Sequence, residues 1–101
     1  MFQDEVLQRL GAAMEQGKAR GYDEFIVLDG VPCFRQFALK LKPQGYLAYV
    51  FTVPQAQMEV IEDCDTAEQS LYAGFADAVA FLQANGADLS RFRAFKGSCP
   101  I

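Results

Sequence analysis

The chain has 101 residues, of which 51% are hydrophobic and 22% charged, and its formal net charge is −4. This size and composition predict a single folded domain over residues 1–101, and they argue against a disordered chain. The acidic balance argues against non-specific nucleic-acid binding, which depends on cations that neutralise phosphates, and the absence of histidine removes the commonest general base and metal ligand.

Residues 2 to about 20 are predicted to form an amphipathic helix. Apolar residues recur at the spacing of one helical face, namely Phe2, Val6, Leu7, Leu10, Ala13 and Met14. Acidic residues occupy the N-terminal turn, and Lys18 and Arg20 lie near the C-terminus, so both signs of charge interact favourably with the helix dipole. Gly21 is the expected C-terminal stop.

Four strand-like segments follow, at residues 25–28, 33–41, 46–53 and 57–62. The first two are joined by Asp29-Gly30, a strong signal for a two-residue hairpin turn. The next connections contain proline at positions 43 and 54, which favours turns at those points. Short connections between sequential strands predict an antiparallel meander.

Residues 66–84 are predicted to form the second helix. Thr66 and Gln69 have the spacing of a capping box, and Asn85-Gly86 supplies a C-terminal stop. The positions expected to form its buried stripe are Leu71, Phe75, Ala78, Val79 and Leu82.

The tail after this helix mixes aromatic and basic residues, namely Phe92 and Phe95 with Arg91, Arg93 and Lys96. The predicted fold class is therefore α+β: an antiparallel four-stranded meander in the order α-β-β-β-β-α, followed by a C-terminal aromatic-basic tail. Each helix has one apolar stripe to bury, so both helices are expected on one face of the sheet.

The third predicted strand carries no charge on either face. One face consists of Leu47, Tyr49, Phe51 and Val53, and the other of Tyr46, Ala48, Val50 and Thr52. A strand that is wet on one side normally places charged groups there, so we expect its outer face to be covered. The tail, a second copy of the chain or another protein could provide the cover. The residues taken as a possible interface are Tyr46, Ala48, Val50 and Thr52, with Phe34 of the second strand.

Acidic residues are concentrated in the middle of the chain. The 48 residues between Lys42 and Arg91 contain seven carboxylates and no basic residue. Five of the seven lie within ten positions, and they are the candidate partner-binding residues: Glu59, Glu62, Asp63, Asp65 and Glu68. Asp65 and Glu68 could instead stabilise the first turn of the second helix. The whole cluster is either a solvated strand end and helix cap or a patch that attracts a basic surface.

Groups that could support catalysis are sparse. Cys33, Cys64 and Cys99 form no C-x-x-C pair, and no histidine is present to activate a thiol, so free structural thiols are the favoured interpretation. Oxygen ligands for a hard cation could come from Asp29, Glu62, Asp63 and Asp65. These residues lack the pattern of a calcium loop. We therefore predict no metal, no cofactor and no enzymatic activity.

The order of helices and strands resembles that of double-stranded RNA-binding domains. Those domains need a lysine-rich helix start, whereas the predicted second helix begins with Asp65, Thr66 and Glu68, so no nucleic-acid partner is expected. The N-terminus has acids where a signal peptide needs basic residues, and no apolar run approaches the ~18 residues of a membrane span. The expected location is cytoplasmic, without membrane contact.

The favoured functional hypothesis is a non-enzymatic protein-binding module. It would be a small acidic inhibitor or immunity-type protein that neutralises a basic partner, since complementary charge speeds association. The alternative is a homodimeric chaperone-like or structural subunit that uses its sheet face. Small acidic chaperones of bacterial secreted effectors also have helices on one side of a sheet. A carboxylate- and metal-dependent enzyme is the least favoured hypothesis.

Overall fold

The computed structural model describes residues 2–56 and 67–94, with the side chains of residues 2–4 and 67 left aside. The described elements are helix α1 (Phe2–Glu15), strands β1 (Arg20–Leu28), β2 (Val31–Lys42), β3 (Gly45–Pro54) and β4 (Ala67–Tyr72), and helix α2 (Phe75–Ala84), followed by a 3-10 helix (Leu89–Arg91). The strands form one antiparallel sheet in the order β1-β2-β3-β4. The predicted α+β class, with a four-stranded meander and two helices, is confirmed.

The turn between β1 and β2 is the one that the sequence predicts. Asp29 has φ 49° and Gly30 has φ 78°, and Leu28 pairs directly with Val31. Positive φ at both central residues is the signature of a type I′ turn, whose twist matches that of the flanking strands. The local sequence therefore determines the register of this hairpin.

One face of the sheet forms the main core with both helices, as predicted. Phe37 and Leu39 of β2 are fully buried and pack in one cluster with residues of β3, α1, α2 and the 3-10 helix. The buried partners in this cluster include Leu10, Met14, Ala48, Val50, Ala78, Val79, Leu82 and Leu89. Each helix thus buries its apolar stripe against the central strands.

The first helix is shorter than its periodicity predicts, and the first strand is longer. Helix α1 ends at Glu15, and the backbone N–H of Lys18 donates to the carbonyl of Ala13 at 3.0 Å. Gly17 has φ 73°, so this glycine closes the helix in a Schellman motif four residues before Gly21. Strand β1 consequently begins at Arg20.

The second helix begins at Phe75, so the prediction of a helix from residue 66 was wrong. Ala67–Tyr72 is strand β4, and it pairs with β3 from Phe51↔Ala67 to Tyr46↔Tyr72. Gln69, taken for a capping residue, lies in this strand. The apolar side chain of Leu71 fits a helical stripe and an alternating strand equally well, and pairing with β3 decides between them. The predicted strand at 57–62 lies outside the described residues.

The described part of the tail lies beside the edge of the sheet. Arg93 pairs with Gly21 of β1 through two reciprocal backbone hydrogen bonds of 3.0 Å. Phe92 packs edge-on against Tyr22, at a ring-centroid distance of 5.5 Å, and joins the main core on the helix side. Phe92 therefore does not cover the opposite face of the sheet, and Phe95 and Lys96 lie outside the described residues.

Candidate protein-binding surface

The acidic cluster falls largely outside the described residues. Glu59, Glu62, Asp63 and Asp65 belong to the segment between β3 and β4, and their role as a partner-binding patch stays a prediction. Glu68 is exposed on β4, opposite Val50 of β3. Because β4 replaces the first turns of the predicted helix, a helix-cap explanation no longer applies to Glu68.

The possible interface on β3 was assigned to the wrong face of the sheet. Ala48 and Val50 are buried in the helix-covered core, and the ring of Tyr46 lies 5.6 Å from that of Phe75 in α2. Thr52 is on the same face. Alternation separates the two faces of a strand, but it does not say which face the helices cover. These four residues therefore face the core.

The opposite face of β3 is also buried in the isolated chain. Tyr49, Phe51 and Val53 form a second apolar cluster with Ala38 of β2, against which Phe34 packs. Phe34 was predicted to share an interface with Tyr46, Ala48, Val50 and Thr52, but it lies on the opposite side of the sheet from these four residues. Burial on both faces explains why β3 carries no charge.

Exposed apolar side chains gather instead at the end of the β1–β2 hairpin. Among the described residues, the large hydrophobic side chains that stay exposed are Phe25 (65%), Val27 (68%), Leu28 (40%), Val31 (46%) and Leu71 (52%). The first four belong to this one hairpin, and we refer to them as the hairpin surface. By the strand register, Phe25 and Val27 lie on the sheet face opposite the helices, and Leu28 and Val31 lie on the other face beside the turn. Exposed apolar side chains gathered at one end of a hairpin are a feature of protein interaction sites.

A row of three aromatic rings anchors this surface to the sheet. The ring of Phe25 lies 5.5 Å from that of Phe34, its direct partner on β2, and Phe34 lies 6.3 Å from Phe51. Phe51 is buried, Phe34 is partly buried and Phe25 is exposed. Each ring limits the rotamers of the next, so Phe25 is held in place before any partner binds, which lowers the entropic cost of association.

The same strand forms an open edge of the sheet. Strand β1 is the first in the sheet order, and Gly21 near its N-terminal end pairs with Arg93. In the part of the chain that the structure describes, residues 23–28 have no strand along this outer edge. Unpaired N–H and C=O groups on an edge strand are a template for an additional strand. Phe25 and Val27 lie on this open portion.

Two carboxylates border the hairpin surface. Asp23 is exposed two residues before Phe25 and therefore lies on the same face of β1, and Asp29 is exposed in the turn. No ion pair engages either one among the side chains that the structure describes. The apolar surface consequently has an acidic border, which favours a partner whose apolar contact region is bordered by cations.

Glu24, between Asp23 and Phe25, has a structural role. Arg35 donates Nε and Nη2 to its Oε2 at 2.9 and 2.6 Å, and Arg91 donates Nη1 to its Oε1 at 2.8 Å. Arg35 also donates Nη1 to the carbonyl of Asn85, which caps α2, at 3.2 Å. This cluster fastens β1 and β2 to the C-terminus of α2 and to the 3-10 helix.

Two groups beside the 3-10 helix have shifted pKa values. Burial raises the pKa of Tyr22, although its hydroxyl accepts a 2.8 Å hydrogen bond from the Asp88 N–H, which acts in the opposite direction. The hydroxyl of Ser90 donates to Asp88 Oδ1 at 2.6 Å and its N–H donates to the same oxygen at 3.0 Å, and these bonds lower the pKa of Asp88. Both groups keep their ordinary charge state near neutral pH.

Ser90→Ala is expected to raise the pKa of Asp88 towards the ordinary value of 3.8, because the Ser90 hydroxyl is the largest cause of its depression. A depressed pKa stabilises the fold above pH 3.8, and this stabilisation disappears as the pH falls through the folded-state pKa. NMR titration of the Asp88 carboxyl carbon measures the shift. Ser90→Thr keeps the hydroxyl and should keep the low pKa; an unchanged pKa in Ser90→Ala would contradict this assignment.

A metal site and a membrane segment have no support in the described residues. Residues 2–56 and 67–94 hold no group of three or more cysteine, aspartate or glutamate side chains that could bind a metal ion. Of the four ligands considered from the sequence, Asp29 is in the hairpin turn and the others lie outside these ranges. Cys33 is a buried free thiol. No described helix has the length and apolar character needed to cross a bilayer.

Comparisons with family models, with curated proteins and with solved structures each gave no match. Sequence reasoning missed the hairpin surface, although one signal for it exists. Residues 25–28 are four consecutive apolar residues, so both faces of this strand carry apolar side chains, whereas the two helices are expected to cover only one face of the sheet.

Proposed function

We propose that this chain is a non-enzymatic protein-binding module that contacts its partner through the hairpin surface. The observation that carries the proposal is the exposure of Phe25 and Val27 on the open edge of β1. An aromatic anchor next to unpaired backbone groups supplies both apolar contact and hydrogen bonds to a docking strand. The partner would therefore present an extended segment with apolar side chains on alternate positions.

Charge narrows the class of partner. Asp23 and Asp29 add negative potential at the border of the hairpin surface, while Glu24 is compensated by two arginines. A partner with lysine or arginine around its apolar segment would associate faster and with greater specificity than a neutral one. The acidic residues between β3 and β4 would act in the same sense, which is consistent with a small acidic inhibitor or immunity-type protein in the cytoplasm.

The open edge also favours a second candidate function, a homodimeric subunit. Two copies could pair their β1 strands antiparallel about a two-fold axis, because an isologous contact needs only one self-complementary edge. Phe25 and Val27 of both copies would then share one interface. Sedimentation of the wild-type chain over a wide concentration range distinguishes this candidate, since a monomer at every concentration excludes it.

Replacing Phe25 and Val27 with serine is expected to weaken partner binding by at least tenfold, because truncating a hot-spot residue removes about 2 kcal/mol or more of binding free energy and about 1.4 kcal/mol corresponds to a factor of ten. Capture on the wild-type chain identifies the partner, and calorimetry then measures its affinity for each variant. Leu71→Ser is the matched control, since Leu71 is similarly exposed but lies on β4.

The charged border is tested with the same partner. Asp23→Asn and Asp29→Asn together should slow association and reduce its dependence on salt, because screening acts on exposed charges. Equal affinity of the Phe25 and Val27 variant and the wild-type chain would overturn the proposal. A loss of affinity in Leu71→Ser as large as the loss in the Phe25 and Val27 variant would also overturn it.

A further inference from the structure

A small cleft lies away from the hairpin surface, between helix α1, the start of β1 and the 3-10 helix. Its volume is about 90 Å³. Leu10 and Leu89, both buried, line it together with Phe92, and they give it an apolar floor. Arg9 and Arg20 also line it, one from α1 and one from the first residue of β1. The cleft thus combines apolar walls with two guanidinium groups.

The two arginines have charge available for a ligand. Arg20 donates one Nη1 hydrogen bond to the carbonyl of Ala19 at 3.0 Å. Among the side chains that the structure describes, the ion pairs involve Arg35 and Arg91 with Glu24, and none engages Arg9 or Arg20. Two uncompensated cations beside low-dielectric walls concentrate positive potential in a concave site. This is a distinct feature in a chain of net charge −4.

The shape and chemistry of the cleft select one class of ligand. A guanidinium presents parallel N–H donors that match the two oxygens of a carboxylate. The volume is smaller than the ~150 Å³ of a cavity that holds benzene, so only a short chain fits behind the charged group. The Ser90 hydroxyl at the cleft already donates to Asp88, so the arginines are the side chains that supply donors.

We propose that this cleft binds a short-chain aliphatic monocarboxylate, with the carboxylate on Arg9 and Arg20 and the alkyl chain on Leu10, Leu89 and Phe92. A phosphate is a poorer ligand, because its additional oxygens would be desolvated against the apolar floor without donors. The site is independent of the hairpin surface, since the two share no residue. A bound carboxylate would also join α1 to β1.

The test is an NMR titration of the full chain with butyrate, inorganic phosphate and n-butylamine. Butyrate should give saturable shifts of the Leu10 and Leu89 methyl signals, phosphate should bind more weakly than butyrate, and n-butylamine should give no saturable shifts. Arg9→Gln and Arg20→Gln should each weaken butyrate binding by about tenfold or more, because each removes a charge-assisted contact. Lys18→Gln is the control, since Lys18 is an exposed cation that lies between Arg9 and Arg20 in the sequence but does not line the cleft.

Three results would overturn the proposal. They are the absence of saturable methyl shifts with butyrate, phosphate binding at least as tight as butyrate binding, and an equal loss of affinity in Lys18→Gln. Arg9 is exposed on α1, so Arg9→Gln should fold normally. This variant therefore tests the proposal even if Arg20→Gln does not fold. The hairpin variants Phe25→Ser and Val27→Ser should bind butyrate like the wild-type chain.

Discussion

Phe37→Ala is expected to lower the free energy of unfolding by about 3–5 kcal/mol, the range for truncating a fully buried phenylalanine. Phe37 is completely buried at the centre of β2. Its ring lies 5.3 Å from that of Tyr22, and the Arg35 guanidinium lies 5.0 Å above it. Alanine would remove these contacts and leave a cavity between the sheet and the helices. A domain of this size has a total stability of only about 5–15 kcal/mol, so the variant should be close to unfolding.

Urea denaturation followed by circular dichroism measures this loss. Phe25→Ala is the matched control, because it is the same substitution on the neighbouring strand at a ring that is 65% exposed. It should cost less than about 1 kcal/mol. If the two variants lose similar stability, the helix-covered face is not the main core. A large loss in Phe25→Ala would in addition remove the case for a free hairpin surface.

Glu24→Ala is expected to have the second-largest effect, a loss of about 2–3 kcal/mol of unfolding free energy. The side chains of Glu24 and Arg35 are only 11% and 17% exposed. Removing the carboxylate would leave the Arg35 charge largely buried without its partner, and this penalty exceeds the value of an exposed ion pair. Arg91 contributes less, because its side chain is 49% exposed and is therefore partly solvated in either case.

Denaturation of three variants separates these contributions. Asp23→Ala removes the adjacent, exposed carboxylate and should change stability by no more than about 0.5 kcal/mol. Glu24→Gln keeps the shape of the side chain and should fall between Asp23→Ala and Glu24→Ala. A double-mutant cycle of Glu24→Gln with Arg91→Gln gives the coupling of the exposed pair. An unchanged free energy of unfolding in Glu24→Ala would show that the cluster does not fasten the hairpin to α2.

The same cluster connects stability to the proposed function. Arg35 joins β2 to the end of α2, and Glu24 is next to Phe25 in β1. The orientation of the hairpin surface therefore depends on contacts behind it as well as on its own aromatic row. Loss of Glu24 should weaken partner binding even though its carboxylate faces away from the partner side of the strand.

Local chemistry determined the parts of this protein that the sequence alone predicts. The apolar period of residues 2–14, the Asp29-Gly30 turn and the short connections act within a few residues, and they specify helix α1, the first hairpin and the meander. The lack of charge on both faces of β3 is equally local, and it correctly indicated that neither face is wet. Each of these signals depends on backbone preference or on burial along one segment.

Contacts between distant residues decided the rest. Leu71 could have extended a helix, and pairing with Leu47 placed it in β4. The assembled chain decides which face of β3 the helices cover. It also brings Glu24 into contact with Arg91, 67 positions later in the sequence, and places Arg9 and Arg20 in one cleft with Leu89. An alternating or periodic pattern indicates which side chains share a face. Which other element packs against that face depends on the packing free energy of the whole domain.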